Sequence, residues 1–134
     1  MKRLYGDVTS HHIPLFLNFE FFFSLFLTFK IQFMKITYYG QAGFGLTLNG
    51  KDIIFDPFIT PNDLAKDIDV KSIKADYILL THGHGDHIAD VKTIANNTGA
   101  TIVSGYEVAS YYQNKDFKAH TLNHGGKWQF DFGM

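Results

Sequence analysis

The chain contains no cysteine, which removes disulfides, thiolate-bound structural zinc and cysteine nucleophiles together. That absence is compatible with any compartment and sits most easily with the cytoplasm. Charge of one sign is also lacking: 12 Lys and Arg stand against 13 Asp and Glu, a formal net charge of -1. The basic stripe that marks a nucleic-acid footprint is therefore missing, although a metal site can hold phosphates by itself. No uncharged apolar run is long. Glu20 and Lys30 confine the best candidate to Phe21 through Phe29, well short of the ~20 residues of a spanning helix. Nor is there a secretory pattern, since Lys2 and Arg3 stand far from the apolar run and no A-x-A-like site follows it.

What is present begins with a break in composition. Residues 1–33 hold eight of the fourteen phenylalanines, and from Phe19 to Phe33 every odd position is apolar, a strand-like alternation. At Met34-Lys35-Ile36-Thr37 a new pattern starts. The residues leave three readings of 1–33: an extension foreign to the fold that begins at Met34, an extra strand, or an anchor through residues 13–33. At 134 residues the chain has room for one domain with a real core. We expect that domain over residues 34–134.

Lys35–Tyr39 and Phe44–Leu48 predict two strands joined by a tight loop at Gly40 and Gly43. Asn49-Gly50 is a strong hairpin signal leading to a third strand, Asp52–Phe55, so the domain opens as an antiparallel meander. Asp56-Pro57 ends that strand. Asp56 reads equally as a turn residue or as a group that orients a metal-bound histidine. Residues 59–75 predict a polar surface connection with a helical turn. The apolar run Asp76–Thr81 predicts a strand covered on both faces. Ile88, Val91, Ile94 and Ala95 then recur at helical spacing, with Gly99 placed as a cap. Further on we expect a strand at 100–104, a helix at 107–113 packing Val108, Tyr111 and Tyr112, a strand at 117–122, and a last strand at 127–132 with Trp128, Phe130 and Phe132 on one face.

Between the fourth strand and its helix lies Thr81-His82-Gly83-His84-Gly85-Asp86-His87. Imidazole nitrogens and a carboxylate are the donors that Zn²⁺ and similar divalent metals take. In an extended segment His82 and His84 point to the same side. Asp86 and His87 follow a glycine, where the chain can turn and aim them at the same ion or at a second one. A polar turn capped by Asp86 accounts for only one of the four residues. His124, before Gly125-Gly126, is a further candidate for lining the site, whereas His120 reads as structural.

These residues resemble the H-x-H-x-D-H signature of the metallo-β-lactamase superfamily, matched by His82, His84, Asp86 and His87. Met34–Tyr39, Ile54-Phe55-Asp56-Pro57-Phe58 and Asn123-His124-Gly125-Gly126 look like its uncharacterised bacterial and archaeal metal-dependent hydrolases, relatives of the ascorbate-phosphate lactonases. The resemblance covers about Met34 to Met134. It implies an α/β fold, α+β in some schemes, of the αββα sandwich type. It also implies one or two divalent metals, most often zinc, with manganese or iron in some branches. His82 and His84 would hold the first ion, and Asp86 and His87 the second, with Asp86 also orienting the attacking water. The family pattern adds a third histidine, a bridging aspartate and a last histidine. After His87 this sequence has only His120 and His124, both before the expected third histidine. The chain thus reads as the N-terminal half of a hydrolase acting on an ester, lactone or phosphoester bond of a small molecule. The alternatives are a truncated, non-catalytic metal-binding fragment and a membrane-anchored hydrolase. Half a sandwich would expose an apolar sheet face and favour self-association.

Overall fold

The computed structural model describes residues 34–134. The three readings of residues 1–33, including the alternation from Phe19 to Phe33 and the anchor, lie outside the described residues. Among the described residues no helix is long and apolar enough to cross a membrane.

Six strands form one sheet in chain order. They are β1 (Lys35–Gly40), β2 (Gly43–Leu48), β3 (Lys51–Phe55), β4 (Tyr77–Leu79), β5 (Thr101–Ser104) and β6 (Ala119–Thr121). The first two pairings are antiparallel, and those from β3 to β6 are parallel. Asn49 and Gly50 both take positive φ, 54° and 75°, as the two-residue turn that matches strand twist requires. The meander expected from the sequence is therefore present.

A parallel pair needs a crossover. Residues between β3 and β4 supply two 3-10 turns, Asp63–Ala65 and Val70–Ser72. Between β4 and β5 come a single turn, α1 (Gly85–Ile88), and α2 (Val91–Thr98), and between β5 and β6 comes α3 (Tyr106–Gln113). The single expected helix through Ile88 is thus two pieces. Gly99 ends α2 at φ 71° with its N–H on the Ala95 carbonyl, the cap expected from its position. Right-handed crossovers repeated in one direction place every connection on the same face. The core lies there: Ile54, Ile78 and Ile102 stand side by side in register and cluster with Ile59, Val91, Ile94 and Tyr112. Asp90, 3% exposed, ties the long connection down by accepting from the backbone N–H groups of Ile59 and Thr60 and from the Thr60 hydroxyl.

On the opposite face the register sets Ile36, Leu46, Ile53 and Tyr77 in one row. Ile36 is 62% exposed, while Ile53 is 2% exposed. Beside Ile53 in that row, Tyr77 is covered by the segment after Gly126. That segment forms no sixth-to-seventh strand pairing, in contrast to the strand expected at 127–132. Its one bridge joins Phe130 to Gly133, and its aromatic side chains fold onto this face instead. Phe130 and Phe132 stack 5.0 Å apart and both meet the Tyr77 ring edge-on. Asp131 accepts from the Tyr77 hydroxyl at 2.9 Å and pairs with Lys51 at 3.0 Å. Side-chain anchoring replaces a ladder. Tyr111, expected to pack, instead points outward and receives Lys92 and Lys115 over its ring.

Candidate metal centre

The site residues converge at the carboxyl ends of β3 and β4, the edge of an open α/β sheet where ligands gather. Asp56 follows β3, is 2% exposed and holds φ 39°, a left-handed value that aspartate takes more readily than most residues. Its carboxylate accepts from the Thr81 N–H at 2.8 Å and from the Thr81 hydroxyl at 2.7 Å. The same hydroxyl lies 2.9 Å from His82 Nδ1. A hydroxyl has one proton, and here it is directed at the carboxylate, so His82 Nδ1–H is the donor to Thr81. This assignment follows from the network, and it leaves the lone pair on Nε2.

That lone pair faces His84 Nδ1 at 3.0 Å, with the two rings edge-on at 4.6 Å. The His87 ring lies 4.0 Å from that of His82, and its side chain is 15% exposed. Its Nδ1 is 3.1 Å from Asp56 Oδ2 yet buried without a hydrogen-bond partner. The separation is short, but the direction is not that of a hydrogen bond, and direction decides. His87 Nε2 is 3.8 Å from Asp86 Oδ2. That oxygen accepts from Gln41 Nε2 at 2.7 Å.

Among the described residues no three His, Asp or Glu side chains surround a common point suited to an ion. The His82 and His84 nitrogens face each other instead, and Asp86 is drawn to Gln41. The donors still fit a divalent cation. Two nitrogens on one tetrahedral zinc lie ~3.3 Å apart at the usual Zn–N length, close to the 3.0 Å between His82 Nε2 and His84 Nδ1. His87 sets Nδ1 against the buried Asp56 carboxylate and Nε2 on the side of Asp86, so Nε2 is the nitrogen it can offer to an ion.

The other two histidines differ. His120 packs against Trp128 and Phe130 at ring distances of 4.8 and 5.4 Å, the structural role read from its sequence position. His124 makes no hydrogen bond to the cluster among the described residues. It lines a cavity of about 320 Å³ shared with Phe55, Leu79, Val103 and Thr81.

The sequence pattern of the metallo-β-lactamase superfamily matches residues 46–130. The chain belongs to the metallo-β-lactamase superfamily. Over 100 residues it is 60% identical to a UPF0173 metal-dependent hydrolase of Flavobacterium johnsoniae, covering 75% of this chain and 44% of that protein. A UPF0173 metal-dependent hydrolase of Christiangramia forsetii is 55% identical over 101 residues, 75% of this chain and 45% of that one. Among solved structures, a metallo hydrolase from the hyperthermophilic archaeon Ignicoccus hospitalis matches with a TM-score of 0.67 and 36% identity, over 73% of this chain and 43% of that chain. The chain thus spans a little under half the length of these relatives. The mixed sheet with helices is the metallo-β-lactamase-type α/β fold that the resemblance implied.

Reading the sequence of this superfamily member missed Gln41, Thr81 and Asp90. Gln41 and Thr81 make contacts set by tertiary structure, one of them across 45 residues. Only the position of Thr81 directly before the histidine loop offered a signal.

Proposed function

We propose that this metallo-β-lactamase superfamily member holds one or two divalent metal ions on His82, His84, Asp86 and His87, zinc first, with manganese or iron as alternatives. The bound metal serves hydrolysis of an ester, lactone or phosphoester bond in a small-molecule substrate. Residues 34–134 form the N-terminal half of the hydrolase domain, and residues 1–33 are an extension outside that fold.

The observation that supports this reading most is the chain of contacts from Asp56 through Thr81 to His82. It turns the protonated nitrogen of His82 away from the cluster and presents Nε2, the arrangement that partners of metal-bound histidines produce. A divalent metal, when bound, would polarise the carbonyl or phosphoryl group under attack and lower the pKa of water toward ~7. The protein does the rest. His82, His84 and His87 must be neutral to donate. Asp86, half exposed at the mouth of the site, accepts a hydrogen bond from the attacking water and orients it. Asp56 stays buried and keeps Thr81 and His82 in place.

A second reading, metal binding without turnover, is favoured by the donor count. After His87 only two histidines follow, and His120 is occupied by aromatic packing. One experiment separates the two readings. Metal content per chain is measured after exhaustive dialysis for the wild type and for a His82→Ala/His84→Ala variant, with hydrolysis of a phosphodiester and of a lactone assayed on the same samples. Metal that disappears in the variant, together with turnover, is the expected result. Metal without turnover selects the second reading, and a wild type free of metal sinks both.

A further inference from the structure

The contact of Gln41 with Asp86 ties the tip of the first hairpin to the histidine loop, and three observations distinguish it. The first is backbone conformation. Gln41 sits at φ 49°, in the left-handed region that residues other than glycine, asparagine and aspartate seldom adopt. Of the four residues other than glycine that do so among those described, Gln41 is the one that is neither asparagine nor aspartate. Such outliers collect where the surrounding structure holds them for a purpose.

The second is anchoring. The hairpin tip is wedged against the floor of the site: a Cβ on Gly43 would come within 3.3 Å of the Asp56 carbonyl oxygen, and one on Gly40 within 2.6 Å of Asn62 Nδ2. The Tyr38 hydroxyl donates to the Gln41 carbonyl at 3.0 Å. The third is the side-chain contact itself, Nε2 to Asp86 Oδ2 at 2.7 Å. It spends one carboxylate oxygen and leaves Oδ1 with no protein donor among the described residues. The donor is also neutral. A lysine or arginine at position 41 would fix the carboxylate as well but would cancel the charge that a cation requires.

We propose that Gln41 is a positioning residue, whose uncharged carboxamide holds Asp86 by Oδ2 so that Oδ1 and the full negative charge face a divalent cation on the Asp86–His87 side. The inference rests on the metal reading above. Loss of the carboxamide lowers zinc affinity at that side about 10- to 100-fold and leaves the His82–His84 side in place.

The test uses the full chain and Zn²⁺ alone, titrated by calorimetry into the wild type, Gln41→Met and Gln41→Gly. Met keeps the length of the side chain without its donor. Gly removes the side chain and relaxes the left-handed backbone, so its Tm is expected to rise while zinc affinity falls. A merely structural Gln41 gives the opposite pair, a lower Tm with unchanged affinity. In parallel, the Gln41 side-chain amide resonances of the metal-free protein are compared with those of Asp86→Asn and are expected to shift. Wild-type affinity in both Gln41 variants, or amide resonances blind to Asp86→Asn, overturns the proposal and leaves the metal reading standing. A wild type that takes up no zinc overturns both.

Discussion

Two neighbours on β4 live in different worlds. Ile78 points into the helix-covered face, fully buried in one cluster with Val91 and Ile94. Tyr77 points the other way, where two phenylalanine rings and one aspartate from the chain's last residues hold it. On the first face, continuous apolar packing makes each side chain depend on all the others. On the second, a few directional contacts hold a short aromatic strap, and beyond its reach Ile36 and Tyr38 remain 62% and 69% exposed. Stability therefore resides on one face, and the other is held locally and tolerates change.

The contrast is sharpest at Ile78→Ala, expected to destabilise by about 2–5 kcal/mol as read from urea unfolding. A loss below ~1 kcal/mol would mean that the covered face is not the cooperative core. The strap should respond to pH instead. Its hydrogen bonds from Lys51 and then Tyr77 hold the Asp131 carboxyl below the ordinary aspartate range, so its contribution is present above pH ~4 and is lost as pH falls through the lowered value. The hydrogen bond and charge of Asp131 raise Lys51, so that contribution is full below pH ~10 and is lost as pH rises through the raised value. Fluorescence of Trp128, the one tryptophan, is expected to report release of the strap at both extremes. Asp131→Asn should abolish the acid limb while leaving the urea midpoint of the core nearly unchanged. The smallest effect belongs to the bare part of the open face. Ile36→Ser should change stability by less than ~0.5 kcal/mol while lowering any self-association seen by sedimentation, because it removes apolar surface already in water.

The same contrast explains what the sequence revealed. Elements of the covered face announce themselves through periodicity: Val91, Ile94 and Ala95 repeat at helical spacing, and all three are buried. Asn49-Gly50 and Gly99 were legible because each has a conformation its residue type favours. The strap was misread as a strand because the alternation of Trp128, Phe130 and Phe132 fits a ladder as well as it fits side chains laid across a sheet. At the site, a motif of seven contiguous residues put the histidines in view. Gln41 and Thr81 stayed hidden because hydrogen bonds formed across the fold leave no local pattern. Asp56 was half legible, since its place after β3 was evident and its contact with Thr81 was not.

The plain order of the strands, β1 beside β2 and so on to β6, also bears on how the molecule comes into being. Each strand docks on one already laid down, so no later strand has to be inserted between two earlier ones. A nascent chain folding from its amino end would pair β1 with β2 and β2 with β3 before β4 arrives, and Asp56 would gain its partners only when Leu79 and Thr81 dock beside it. The histidine loop and the carboxylate that orients it would thus take their final shape in one step.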